Sequence, residues 1–260
     1  MRRYDGQVAV VTGASSGIGR RLAIDLAARG ATVVGIARRQ ELLDQLEKEL
    51  AQHGPGNTTS VCDVGDADAL RSVLADVEQR QGRIDILVAA AAVESDVPAQ
   101  GATVEHFRST MEVNFFGVIT GTLAVLPGMV ARRQGVVVNV SSDSARAPAP
   151  GGAAYAASKA AVSAFSESVA LEVAAHGVHV QVLYPGWVPT AMGLAAVERG
   201  MPLPPRAVRR TEEQISELVL ENMGGAAIEL NASRLPVMAP LARAFFPRAY
   251  RRSVAKSSTS

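Results

Sequence analysis

Six short runs rich in Val, Ile and Ala, at residues 8–11, 31–36, 58–62, 84–89, 136–141 and 178–183, are each separated from the next by a longer segment of helical period, and no hairpin turn joins any two of them. Strands that read as continuous apolar runs are covered on both faces, and strands joined through helices run parallel. The pattern predicts a single α/β domain over 1–260, a doubly wound parallel sheet with helices on both faces. The helices are expected to run to Ala28, over 40–52, 66–80 and 103–132, around Tyr155, and near 212–222. With 260 residues the chain is long enough to bury such a core as one unit. After Pro185 the alternation stops, and Pro189, Pro202, Pro204 and Pro205 break up a stretch rich in Met, Ala and Arg. Ligands of open parallel sheets bind beyond the carboxyl ends of the strands, so residues 191–225 are expected to form a substrate lid.

The first run leads directly into Thr12-Gly-Ala-Ser-Ser-Gly-Ile-Gly19, which opens a helix. Glycines at 13, 17 and 19 allow a tight turn and bring backbone N–H groups close to a pyrophosphate, which the helix N-terminus also attracts. With Ser15, Ser16 and Ile18 they form the expected dinucleotide site of a Rossmann-like unit. The second run ends Gly35-Ile-Ala-Arg-Arg39. Ala37 stands about where an NAD-binding unit carries an acid for the ribose 2′-hydroxyl, and Arg38 follows it. A missing carboxylate and an adjacent guanidinium suit a 2′-phosphate, so NADP is expected over NAD. Both arginines are expected to contact the cofactor, although a solvated turn suits Arg39 better than Arg38. Asp63 ends the third run, where its carboxylate can accept from the adenine amino group.

Tyr155-Ala-Ala-Ser-Lys159 places a phenol and an ammonium one turn apart on one helix face. By itself that pair is ordinary. Together with the glycine turn, Asp63, Asn114 in Met-Glu-Val-Asn-Phe, Ser142 after the fifth run and Pro185-Gly186 after the sixth, it resembles the short-chain dehydrogenase/reductase family from about Gln7 to Thr190. The resemblance implies an oxidoreductase interconverting a ketone or aldehyde and an alcohol. Tyr155 would be the general acid/base, and Lys159 would lower its pKa and bind the nicotinamide ribose. Ser142 would bond the substrate oxygen, and Asn114 would hold a water linking Lys159 to solvent. Val64 beside Asp63, and Ala90 and Ala91 after the fourth strand, would line the cofactor, and Pro185, Gly186, Val188 and Thr190 would contact its nicotinamide side. A homo-oligomer, dimer or tetramer, is implied as well. Two other readings remain open: a dinucleotide-sensing or scaffold protein, and an enoyl reductase, whose relatives tend to space Tyr and Lys by six residues.

The sequence departs from the family in two places. Residues 89–92 are all Ala where Asn-Asn-Ala-Gly is usual, which removes an amide that ties neighbouring backbone and predicts a looser segment. After 226–230 the usual final strand and its turn are not evident. Residues 231–260 instead form a basic apolar extension with no acid after Glu229, suggesting a short amphipathic helix that packs on its own subunit or a partner, or makes a peripheral membrane contact. Residues 256–260 read as disordered.

Charge and composition narrow the remaining classes. A formal net charge of +1 supplies no field for nucleic acid. The single cysteine, Cys62, cannot form an internal disulfide and reads as a core residue, which agrees with a cytoplasmic setting. The apolar run after Met1-Arg-Arg is too short for a secretory signal, and the longest, 86–93, is under half a membrane span. His53, His106, His176 and His179 lack ligand spacing, so no metal is expected. Met192, Leu194, Met201 and Leu203 would give the lid an apolar lining suited to a hydrophobic or acyl-type substrate.

Overall fold

The computed structural model describes residues 2–94, 97–199 and 201–257. In chain order the elements are β1 (Val8–Thr12), α1 (Gly17–Ala28), β2 (Thr32–Ala37), α2 (Gln40–Leu50), β3 (Thr58–Val61), α3 (Ala67–Gln81) and β4 (Ile86–Ala89). Then come α4 (Val104–Met111), a π turn (Glu112–Phe116), α5 (Gly117–Arg132), β5 (Gly135–Val140), α6 (Ala153–Val173) and β6 (Val178–Tyr184). The chain continues with α7 (Ala191–Glu198), α8 (Glu212–Asn222), β7 (Glu229–Asn231), α9 (Ala239–Phe245) and α10 (Pro247–Ser257).

All strand pairs are parallel, in the order β3-β2-β1-β4-β5-β6-β7. β1 lies inside the sheet, with Val10 in register with Val34 on one side and Leu87 on the other. Its five residues are all buried because both faces are covered. Ala9 and Val11 meet Leu22 and Leu26 of α1, Leu43 and Leu46 of α2, and Ile215 and Val219 of α8. Val8 and Val10 meet Leu70 and Leu74 of α3, Val125 and Met129 of α5, and Val169 of α6. Strand order reverses between β1 and β4, which opens the crevice beyond their carboxyl ends where such folds bind ligands.

The structure corrects several sequence expectations. Alternation stops at 183 in sequence, yet β7 adds a seventh strand, fixed by the Val182 N–H donating to Ile228 O (2.8 Å) and the Ala232 N–H to Tyr184 O (3.0 Å). Three residues with one buried apolar side chain carry no periodicity, so only pairing identifies it. β4 starts at Ile86 rather than 84, and the buried Asp85 just before it ties to β1 through its carboxylate, which accepts from the Val8 N–H (2.9 Å). The segment expected as lid divides: α7 stands at the cleft, but α8 is a core helix with Ile215, Val219 and Leu220 fully buried. Lys256 and Ser257 lie in α10, while 258–260 fall outside the described residues. The Val104–Arg132 helix is long and apolar enough to span a bilayer, but here it packs on α3, β4 and α6 as a core helix.

Candidate active site

The crevice contains about 1040 Å³ of atom-free space, part of it continuous with solvent, and is lined from the glycine turn at one end to Tyr155 and Lys159 at the other. The turn is built for close approach. A Cβ on Gly13 would stand 2.7 Å from the backbone of Ala91, and one on Gly19 would stand 2.5 Å from Gly13 O. Gly17, at φ +58°, would push a Cβ to 2.9 Å from the Thr190 methyl. Ser16 precedes α1 in extended conformation without capping it through its side chain, so the first N–H groups of the helix are left for an anion. These features fit a dinucleotide pyrophosphate. Ser15 and Ile18 complete the lining.

Both arginines after β2 line the cleft. The Arg39 guanidinium donates to the hydroxyls of Ser15 (3.1 Å) and Ser16 (2.9 Å), folding over the glycine turn. Arg38 turns to Asp63, at 3.4 Å. Sequence order favoured Arg38 because it comes first after Ala37, but side-chain direction alternates along an extended segment, so the second arginine points to the loop. Asp63 also accepts from the Gly65 N–H (3.0 Å), and Val64 is buried beside it.

Beyond β4, Ala90 and Ala91 line the cleft. The looseness expected of this all-Ala segment is absent. Ala91 N–H donates to Thr12 Oγ1 (3.3 Å), and the Asn114 side chain clamps Val93 twice, accepting from its N–H (2.7 Å) and donating to its carbonyl (2.8 Å). The same amide donates to Ser158 Oγ (3.1 Å). Asn114 is fully buried on the π turn, which re-aims one residue out of the regular helical register. An amide also stands one strand over: Asn139 is in register with Ala89 and bonds Ser166 (3.0 Å) and Thr122 (3.4 Å) inside the core.

Ser142 follows β5 and caps a short turn, accepting from the Ser144 N–H (3.1 Å). The first turn of α6 then delivers Tyr155 opposite it. Burial pushes the Tyr155 phenol up to about 12, the bond with Ser142 draws it back, and the negative charges of Glu94 and Asp143 add to the rise. Lys159, buried at the floor of the cleft, donates to Val140 O (2.8 Å), and desolvation brings it down to about 8. Lys159 thus points at a backbone carbonyl, with its ammonium 5.8 Å from the centroid of the Tyr155 ring. Pro185 and Thr190 line the far wall. Gly186 packs against Val208 O and Val188 is buried in the core, so these two shape the wall from behind.

Glu94, Asp143 and Val140 were missed from sequence. Val140 contributes a carbonyl, which any residue could supply. Asp143 rises to about 6, mainly through burial, against the pull of Arg146 and Arg210. Its position directly after Ser142 was the only available signal. Among the described residues no group of three or more His, Cys, Asp or Glu could hold a metal. His106 instead accepts from the Thr103 N–H (3.0 Å) at the start of α4, and Cys62, expected as core, also lines the cleft.

Residues 7–199 match the family model described as short chain dehydrogenase. A 3-oxoacyl-(acyl-carrier-protein) reductase of Thermotoga maritima is 38% identical over 73% of this chain and 77% of its own length. A Bos taurus dehydrogenase/reductase SDR family member 7B is 37% identical over 76% of this chain, which is only 63% of that relative. Several of the relatives it matches are likewise longer, the chain spanning less than two thirds of them. Among solved structures, a variant of actinorhodin polyketide ketoreductase with NADPH superposes with a TM-score of 0.80 at 29% identity, covering 87% of this chain and 95% of that one. A Mycobacterium paratuberculosis short chain dehydrogenase bound to NAD gives 0.82 at 26% identity, covering 91% and 100%.

Proposed function

Because the chain belongs to the short-chain dehydrogenase/reductase family, an oxidoreductase family, we propose that it interconverts a carbonyl and a secondary alcohol with NADP(H) on a hydrophobic, acyl-type substrate. The observation that carries the reading is that Tyr155 and Lys159 together line the cleft at the end away from the glycine turn, with Ser142 near enough to draw the phenol down. A bound nicotinamide supplies or takes the hydride. Tyr155 gives the proton to the carbonyl oxygen, or takes it from the alcohol, and Ser142 orients that oxygen. At neutral pH the Tyr155 phenol carries the proton that reduction needs.

Arg39 over Ser15 and Ser16, with Ala37 rather than an acid at the end of β2, supports NADP(H). The solved neighbours bind either cofactor, so titration of the protein with NADPH and NADH is the direct test. Equal affinity for the two would remove this part of the reading. Met192 lines the cleft, and Leu194, Met201 and Leu203, which follow it in the chain, are exposed, which suits an apolar substrate. In a ketone series of increasing chain length, kcat/KM should rise by about 1 kcal/mol or slightly less per buried methylene until the site fills. Cofactor binding with no turnover over the whole series would favour a sensor instead.

A homo-oligomer belongs to the same reading. Phe116 and Leu123 stand two turns apart and exposed, beside exposed Ala160, Ala164 and Leu171 of α6, an apolar stripe that a second copy would cover. A Leu123→Glu variant that leaves the mass in solution unchanged would remove the stripe as the interface.

A further inference from the structure

Six apolar side chains between residues 235 and 246 are left in solvent: Leu235 is 58% exposed, Val237 37%, Met238 55%, Leu241 50%, Phe245 73% and Phe246 69%. Met238, Leu241 and Phe245 recur at helical spacing, giving one stripe along the short turn Pro236–Met238 and α9. Arg234, Arg243, Arg248, Arg251 and Arg252 surround them, and the sequence has no acidic residue after Glu229. Single exposed apolar residues are ordinary, but a contiguous set rimmed by one sign of charge is not.

The place of this segment in the fold adds a second constraint. In a parallel sheet all carboxyl ends lie on one side, and the segment leaves the carboxyl end of β7, on the side of the cleft. Its base is tied to the chain that leads from α7 to α8: Arg210 Nε donates to Ala232 O (2.8 Å) and Ser233 Oγ to Ala207 O (3.5 Å). Leu194, Met201 and Leu203, exposed on the lid, precede that same stretch.

We propose that residues 234–252 dock the protein peripherally on an anionic bilayer, with the Leu/Met/Phe stripe at the acyl boundary and the arginines among the headgroups, so that the mouth of the cleft opens beside the lipid surface. Charge decides between a bilayer and a second copy. A two-fold interface sets a patch against itself, and this patch would oppose arginines with arginines. Self-association has the separate stripe of Phe116, Leu123 and the exposed apolar residues of α6. Anionic headgroups neutralise the arginines while the acyl boundary takes the phenylalanines, so one occupant accounts for both features.

The test is flotation of the whole protein with phosphatidylcholine vesicles, with and without about 30 mol% phosphatidylserine, at low and high salt. The bound fraction should rise at least about tenfold with the anionic lipid and fall as salt screens the headgroups. Phe245→Ser with Phe246→Ser, and separately Arg243→Glu with Arg248→Glu, should each lower binding by about tenfold or more, with melting temperature and cofactor binding unchanged. The proposal is overturned if anionic vesicles do not bind, if neutral vesicles bind equally, or if both double variants bind like the parent. It is also overturned if those variants dissociate an oligomer in the absence of lipid, which would assign the patch to a subunit interface.

Discussion

The Lys159 ammonium lies 5.8 Å from the centroid of the Tyr155 ring, one helical turn along α6, and both groups are pushed toward their neutral forms. Burial is the first cause for each, so this pair is a costly arrangement in the protein by itself.

Replacing Lys159 should therefore stabilise the cofactor-free protein while removing function. The folded-state pKa of about 8 lies below the ordinary 10.5, so the folded protein binds fewer protons between those values, and its stability rises over that pH window. Below it the full penalty is present, about 3 kcal/mol, of which the lost bond to Val140 O returns about 1. Lys159→Met should gain about 1–2 kcal/mol near neutral pH and lack the alkaline rise, while losing turnover and cofactor affinity. Chemical denaturation at neutral and alkaline pH reads this. A less stable variant at neutral pH would contradict it.

Tyr155→Phe should keep stability within about 1 kcal/mol and lower kcat by about a thousandfold or more, since only the transferable proton is removed. Ser142→Ala should lower kcat by about a hundredfold and shift the Tyr155 limb of the pH profile upward, because the bond that draws the phenol down is lost. Steady-state kinetics across pH separates the two.

Asp143→Asn should move that limb the other way. The Asp143 charge raises Tyr155, so its removal lets the phenol ionise at lower pH. The same change should stabilise the protein above about 6. The carboxyl's folded pKa is raised from 3.8, so its contribution is fully present below 3.8 and is lost as pH rises through about 6. Denaturation curves at acid and neutral pH that superpose for the two proteins would count against this.

For the cofactor, Arg39→Gln should weaken NADPH binding by about ten- to a hundredfold and leave NADH within about twofold, as expected for loss of one charge-assisted contact. Arg38→Gln should do less, because Arg38 is shared with Asp63. Calorimetric titration with both cofactors measures each, and a larger effect at Arg38 would restore the order read from sequence.

Asn114→Ala should destabilise the protein by about 2–4 kcal/mol, since it leaves the buried N–H and carbonyl of Val93 without their partner. Hydrogen exchange at Val93 should accelerate more than at Val10 in β1. Uniform exchange would place the role of Asn114 elsewhere.

Sequence alone determined the parallel sheet and the glycine turn, because each rests on local pattern, continuous apolar runs and a fixed glycine spacing, whereas the Ser142–Tyr155–Lys159 set came from the family resemblance. Tertiary structure decided the features that depend on residues distant in the chain. β7 became a strand only through pairing with β6, and α8 was read as lid until α1 and the sheet buried its Ile215 face. Arg39 folds over the glycine turn because Ser15 and Ser16 lie opposite it. The Lys159 charge is set by sequence, but its desolvation, its bond to Val140 O, and the placing of Glu94 and Asp143 near the phenol arise only when β5, α6 and the β4 exit close around one cleft.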